Sequence, residues 1–121
     1  MKETKTITHI VNKSKFVAYR FDVATPEQAK QIIEEIKKDN KKATHVCYAY
    51  VCCENGNVEK CWDDGEPSGT AGYPMLNVIK KKNLKNILVV VVRFFGGIKL
   101  GAGGLVRAYT KATSLVLDQN N

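Results

Sequence analysis

The residues best suited to chemistry lie first in an acidic loop. It carries three carboxylates within four residues, Asp63, Asp64 and Glu66, followed by hydroxyl groups at Ser68 and Thr70. Carboxylates at this spacing could bind a divalent cation or act as acid and base groups. The same composition is typical of an exposed acidic turn that leads into a helix capped by Ser68 or Thr70. From this segment alone, the purely structural interpretation is favoured.

A second candidate loop follows an apolar run. Residues 87–92 are β-branched or Leu without interruption, which indicates a strand buried on both faces in the middle of a sheet. Arg93 places a permanent charge at its end, and the loop after it contains Gly96, Gly97, Gly101, Gly103 and Gly104. A strand, a glycine-rich loop and a helix N-terminus can bind an anion through unpaired backbone N–H groups. Glycines also serve tight turns, so the local pattern supports an anion-binding loop and a purely structural turn equally.

Length and composition predict a single domain over residues 1–121. The chain is 44% apolar and 26% charged, which is ordinary for a globular protein. It has neither an apolar run long enough to cross a bilayer nor the apolar stretch of a signal peptide near its start, so we expect a cytoplasmic protein that does not contact a membrane. The pattern does not predict an oligomeric state.

The net charge of +7 is concentrated in one half of the chain. Residues 67–121 contain Asp118 as their only acid. The eight basic residues of this half are Lys80, Lys81, Lys82, Lys85, Arg93, Lys99, Arg107 and Lys111. This asymmetry suggests a polyanionic partner such as RNA or a ribonucleoprotein surface, although a basic face without a partner is also common.

The cysteines predict neither disulfides nor a metal site. The four are Cys47, Cys52, Cys53 and Cys61. They flank a hairpin predicted at Asn55-Gly56, and pairing about that turn sets Cys61 opposite Tyr50 and Cys53 opposite Val58. No two cysteines then face each other, and their spacing is not that of a zinc site. We therefore expect reduced, partly buried thiols and no cofactor, with a redox or metal role as the minor alternative.

The elements that must position these loops follow from periodicity. Residues 4–11 and 15–23 are predicted strands, and Thr25, Pro26 and Gln28 form a helix start with a capping box. The complete predicted order is strand, strand, helix, hairpin, helix, central strand and helix. This order favours an α+β domain, a two-layer α/β sandwich with one mixed sheet of four to five strands.

Two segments together resemble a family signature. DDGEPSGTAGYPML at 63–76 and VVVVRFFGGIKLGAGGLVRAY at 89–109 are similar to the Impact/YigZ family, and NKSKF at 12–16 and ATHVCYAY at 43–50 agree with it. The resemblance covers nearly the whole chain. It implies the family's N-terminal domain, whose fold is similar to the second domain of the small-subunit ribosomal protein S-five and to domain IV of elongation factor G. It also implies that the ferredoxin-like domain carried by bacterial members is missing here.

The resemblance also implies a set of site positions. They are Lys13, Ser14, Phe16, His45, Asp63, Asp64, Gly65, Glu66, Gly69, Arg93, Gly96, Gly97, Gly101 and Gly104, to which the residue pattern adds Ser68 and Thr70. A lone histidine such as His45 is usually structural. The recurrence of polar members nevertheless favours a site that includes Asp63, Asp64, Glu66 and Arg93.

Three functions are compatible with the sequence. Eukaryotic members of the family are translational regulators, so the resemblance implies a translation-associated regulatory module that binds RNA, the ribosome or a translation-associated protein. The residues expected to contact phosphates are Lys80, Lys81, Lys82, Lys85, Lys99, Arg107 and Lys111. The second hypothesis is an interaction domain whose motif residues maintain turns. The third is a small-anion (phosphate or nucleotide) binder or enzyme with a site between loops 63–72 and 96–104, although Ser68 has no identifiable base and no activated nucleophile is evident.

Overall fold

The fold is described by a computed structural model of residues 3–53 and 57–118. Within these ranges, the strands are β1 (Lys5–Val11), β2 (Ser14–Asp22), β3 (His45–Cys52), β4 (Val58–Trp62) and β5 (Ile87–Phe94). The helices are α1 (Pro26–Asp39), α2 (Gly72–Lys81) and α3 (Gly101–Leu117). The order of elements agrees with the sequence pattern.

The five strands form one sheet in the order β1-β2-β5-β3-β4. Strand β5 lies at its centre and is buried from Ile87 to Arg93. The predicted α+β class and strand number are confirmed. The prediction of a mixed sheet is wrong, because every strand pair is antiparallel. The α1 connection does join two parallel strands, β2 and β3, but β5 lies between them and pairs with both.

Helices cover both faces of the sheet. On β5, Val89 and Val91 pack in a core with α2 and α3, whereas Val90 and Val92 pack in a second core with α1. The molecule therefore has three layers, and the predicted two-layer sandwich is wrong. The physical reason is β5 itself, since a strand that is apolar on both faces needs cover on both.

Helix α1 begins as its sequence predicts. The Thr25 hydroxyl accepts a hydrogen bond from the Gln28 N–H at 3.2 Å, and the Gln28 side chain accepts one from the Ala24 N–H at 2.7 Å. Pro26 occupies the start of the helix, where its missing N–H costs nothing. No helix of the described residues is long and apolar enough to cross a membrane.

The β3–β4 hairpin differs from the predicted register by one residue. Cys61 pairs with Ala49 and Cys52 pairs with Val58. Cys53 leaves β3 with a φ of 76°, so the connection is longer than predicted. The predicted Asn55-Gly56 turn lies outside the described residues. All four cysteines are free thiols, and no two pair across the described strands.

Candidate functional site

The first carboxylate of the acidic loop, Asp63, organises the start of α2. Its side chain accepts hydrogen bonds from three backbone N–H groups, those of Gly69 at 2.9 Å, Ala71 at 3.2 Å and Gly72 at 2.8 Å. The predicted cap by Ser68 or Thr70 is therefore wrong. Ser68 is exposed, and the Thr70 hydroxyl donates to the Pro67 carbonyl at 2.6 Å. A local capping pattern does not reveal Asp63, because the acceptor comes from nine residues before the helix.

The second carboxylate, Asp64, joins the acidic loop to β3. Its Oδ2 accepts a hydrogen bond from the Val46 N–H at 2.7 Å, and its Oδ1 lies 3.4 Å from Trp62 Nε1. The Asp64 carbonyl lies 2.7 Å from His45 Nδ1. Both aspartates are thus engaged by protein donors. Among the described residues, no cluster of three or more His, Cys, Asp or Glu side chains could hold a metal ion.

The third carboxylate, Glu66, is buried in an ion pair. Arg93 Nη1 lies 2.8 Å from its Oε2 and 3.0 Å from its Oε1. The Tyr109 hydroxyl donates to Oε2 at 2.6 Å. Because Arg93 belongs to β5 and Tyr109 belongs to α3, Glu66 connects the acidic loop to the central strand and to the last helix. Pairing of this kind is what allows two charges to remain inside a protein.

Two protonated groups support the ion pair. Burial is the main cause that raises the pKa of Tyr109 and that of Cys47. Both therefore remain neutral near pH 7, which agrees with Tyr109 acting as donor to Glu66. The Cys47 thiol lies 3.4 Å from the Tyr109 hydroxyl and 3.1 Å from the Asp63 carbonyl. Cys47 is fully buried, and a buried thiol whose pKa is raised is a poor nucleophile.

The β1–β2 turn closes the other side of Arg93. The Ser14 hydroxyl lies 3.4 Å from Arg93 Nη2 and accepts a hydrogen bond from the Gly96 N–H at 3.2 Å. A Cβ atom on Gly96 would overlap the carbonyl group of Lys13, whose φ is 69°. Lys13 thus contributes its backbone conformation to the site, and Gly96 allows the close approach of two chain segments.

A cavity of about 420 Å³ opens beside the ion pair. Its wall includes His45, Glu66, Arg93, Phe95, Lys99 and Gly101. His45 Nδ1 carries the hydrogen, because its partner, the Asp64 carbonyl, can only accept. His45 Nε2 lies 3.5 Å from Glu66 Oε1. Of the predicted site residues, the structure brings His45, Glu66, Arg93 and Gly101 to this cavity together with Lys99, and it leaves Asp63 and Asp64 outside the lining.

The glycine loop ends at this cavity as the N-terminus of α3. The helix has no side-chain cap and no acidic residue in its first turn. Gly97 and Gly101 have φ angles of 90° and 72°, which favour glycine. Gly104 instead serves packing, since a Cβ atom there would lie 3.1 Å from Leu100 Cβ. The structure thus shows glycines that serve turns and close packing, and anion binding by this loop stays a prediction.

The seven predicted phosphate ligands are all exposed but do not form one cluster. Lys81 and Lys82 border a groove of about 610 Å³ between α2 and α3. Arg107 and Lys111 border a second groove, of about 390 Å³, between α3 and β1. Of the remaining three, Lys80 forms a surface ion pair with Glu59 at 3.3 Å, Lys99 lines the cavity described above, and Lys85 precedes β5 at the far end of the sheet.

The sequence interpretation missed Tyr109 as a polar member of the site. The available signal was chemical, because a buried tyrosine hydroxyl normally requires a hydrogen-bond partner. Thr44 was also missed, and its hydroxyl accepts a hydrogen bond from the Phe95 N–H at 2.9 Å.

Comparisons with known proteins agree with this architecture. The family model of the Impact N-terminal domain matches residues 12–117. The IMPACT family member YvyE of Bacillus subtilis (strain 168) is 52% identical over 114 residues, which cover 94% of this chain and 52% of YvyE. A crystal structure described as that of a hypothetical protein superposes with a TM-score of 0.91 at 37% identity, covering 95% of this chain and 57% of that one. The two-domain translational regulator Yih1 superposes with a TM-score of 0.57 at 28% identity, covering 93% of this chain and 45% of Yih1. The chain thus spans about half the length of these relatives.

Proposed function

This chain belongs to the Impact family, and from that membership and its surface charge we propose that it is a translation-associated regulatory module that binds RNA, free or on the ribosome. The description of Yih1 as a translational regulator supports the first part of the proposal. The surface of α2 and α3 supports the second part. We define the basic face as Lys81, Lys82, Arg107 and Lys111.

The observation that carries the proposal is the absence of acids from the two helices that form this surface and from the segments that join them. Residues 67–117 contain no Asp or Glu in the sequence, and α2 and α3 both lie within that stretch. The two helices pack on the same face of the sheet, and the four cations border the grooves on either side of α3. Unopposed cations along a groove are the electrostatic arrangement that attracts a phosphate backbone.

Two further features fit a single-stranded ligand. Tyr73 is 58% exposed and lines the groove between α2 and α3, where a base could stack on its ring. On the other side of α3, Lys111 and burial lower the pKa of His9, with burial the larger cause. His9 therefore adds a neutral hydrogen-bonding group to that groove near pH 7, and the binding charge comes from Arg107 and Lys111.

RNA binding by the chain at several salt concentrations tests the proposal. Four phosphate contacts give an expected slope of about −3 in log K against log salt for a single strand. A variant with all four basic-face residues changed to Gln should lose most of the affinity and most of the slope. The matched control changes Lys30, Lys37, Lys38 and Lys42 to Gln, removing the same charge from the side of α1 and the segment after it.

The control should retain affinity and slope if the basic face is the binding surface. Equal losses in both variants would show that only net charge matters and would refute the assignment to this face. A chain that fails to bind RNA at low salt would refute RNA binding altogether.

Catalysis is not part of the proposal. Asp63 and Asp64 accept hydrogen bonds from protein donors, and the Cys47 thiol is held neutral. What supports the small-anion alternative is the single cavity that Glu66 and Gly101 share. That cavity opens at the N-terminal end of α3, whereas the basic face extends along the helix.

A further inference from the structure

We propose that the cavity at the N-terminal end of α3 binds a phosphomonoester attached to a planar apolar group, the chemistry of a nucleoside monophosphate. The inference concerns the cavity lined by His45, Glu66, Arg93, Phe95, Lys99 and Gly101. It does not depend on RNA binding by the basic face, since none of that face's four residues lines the cavity.

The charges around the cavity favour an anion. Glu66 and Arg93 neutralise each other through contacts of 2.8 and 3.0 Å. Lys99 then contributes an exposed cation, and within the part of the chain that the structure describes no carboxylate other than Glu66 lines the cavity. The first turn of α3 adds the positive end of a helix dipole with no acid to balance it. The net field in the cavity is therefore positive.

Arg93 provides an independent indication of a ligand. It is only 5% exposed and lines the cavity. Nη1 and Nη2 have partners in Glu66 and Ser14, but the buried Nε has none. Buried polar atoms without partners are uncommon in folded proteins. Arg93 thus lines a cavity that already attracts anions and carries one buried polar atom without a protein partner.

The size and walls of the cavity define the rest of the ligand. A volume of about 420 Å³ lies in the usual range for small-molecule sites, and a bare phosphate would fill a small part of it. Pro67, Leu100 and Leu105 supply apolar walls. The Phe95 ring is 46% exposed at the same cavity and offers a flat surface for stacking. A phosphate group at the positive end of α3 and a planar group stacked on Phe95 would match the charged part and the apolar part of this cavity.

Such a phosphomonoester has two natural sources, a free mononucleotide and the phosphorylated end of an RNA strand. Amide chemical shifts of the full chain titrated with adenosine 5′-monophosphate test the shared chemistry. We expect the largest changes at Phe95, Gly101 and Ala102. Adenosine and inorganic phosphate, each lacking half of the ligand, should bind at least about tenfold more weakly. A short RNA with a 5′-phosphate, compared with the same RNA with a 5′-hydroxyl, then distinguishes the two sources.

An Ala102→Asp variant separates binding from folding. Ala102 is exposed, lines the cavity and lies in the first turn of α3. A carboxylate there complements the helix dipole, so thermal stability should be maintained or rise while adenosine monophosphate binding is lost. Ala102→Asn, which adds nearly the same volume without charge, should retain more of the affinity. Lys99→Gln should weaken binding about tenfold, whereas the matched Lys85→Gln should not.

Three results would overturn the inference. The first is the absence of shift changes at Phe95 and Gly101 with millimolar adenosine monophosphate. The second is unchanged affinity in Ala102→Asp, and the third is equal loss in Lys99→Gln and Lys85→Gln. Loss of RNA binding on changing the basic face, with the mononucleotide titration unaffected, would leave the cavity assigned and the two sites separate.

Discussion

The buried ion pair between Glu66 and Arg93 gives the sharpest prediction. Replacing Glu66 by Gln keeps the shape of the side chain but removes its charge, which leaves the Arg93 guanidinium buried without a counter-ion. The side chains are only 2% and 6% exposed. Solvent therefore cannot compensate for the missing carboxylate, and the substitution should destabilise the fold substantially.

The magnitude follows from general values for such pairs. Breaking a buried pair by removing one partner costs about 3–5 kcal/mol, a large fraction of the roughly 5–15 kcal/mol that stabilises a domain. An unfolding entropy of about 2.1 cal/mol/K per residue gives roughly 0.25 kcal/mol/K for a chain of this length. The midpoint of thermal unfolding should therefore fall by about 12–20 °C.

Urea denaturation and thermal melts of the full chain measure this effect. Glu59→Gln is the matched control, because Glu59 also pairs with a cation at 3.3 Å but its side chain is 37% exposed. The control should change stability by less than about 1 kcal/mol. A Glu66→Gln variant whose stability lies within about 1 kcal/mol of the Glu59→Gln variant would refute the argument from burial.

A double replacement of the pair by apolar residues provides a second check. Glu66→Met combined with Arg93→Met removes both charges, so neither is left unpaired. The double variant should be less destabilised than the sum of the single variants, with a coupling of about 2 kcal/mol or more. If the losses in the free energy of unfolding were additive, the contributions of the two charges to stability would be independent, which would contradict the prediction.

Other predictions concern the residues around the pair. Gly96→Ala should strongly destabilise the fold, because the added Cβ atom would overlap the backbone of the β1–β2 turn. In Gly103→Ala, the added Cβ atom meets only the end of a flexible side chain, and the change should stabilise α3 by about 0.5–1 kcal/mol. Urea melts of both variants measure these effects. The free energy of unfolding should fall as pH rises above the ordinary pKa values of 9.0 for Cys47 and 10.0 for Tyr109, because the unfolded chain loses protons that the folded chain keeps. Tyr109→Phe should make this fall in stability at alkaline pH less steep. Asp63→Ala should cost about 1–3 kcal/mol through loss of its backbone contacts, with α2 amides exchanging faster with solvent.

Local signals predicted the features that a short segment determines. The uninterrupted apolar run was sufficient to place β5 at the centre of the sheet, because only a strand covered on both faces tolerates such composition. The α1 start was predictable because Thr25, Pro26 and Gln28 interact within one turn. The composition of β5 also requires cover on both faces of that strand, and what it leaves open is which distant helix covers which face.

The separate roles of the polar residues at the site depend on contacts between segments that are distant in the chain, so the sequence pattern could not predict them. Three adjacent carboxylates look equivalent in the sequence, yet Asp63 and Asp64 bind backbone groups and Glu66 enters the core. Their roles depend on partners at the start of α2, in β3 and at the end of β5. Tyr109 could be placed on the buried side of α3 by periodicity, but its partner lies 43 residues earlier in the chain.

The same network explains why the candidate anion site can be preformed. Tyr109 lies about two helical turns beyond Gly101, and its hydrogen bond to Glu66 fixes the position of α3 relative to the acidic loop. Arg93 fixes β5 to the same carboxylate. The helix N-terminus, the strand end and the loop that surround the cavity are therefore joined through one buried side chain. Since a buried pair is a weak stabiliser compared with apolar packing, the expected contribution of this pair is to hold the three segments at fixed distances, as the proposed ligand site requires.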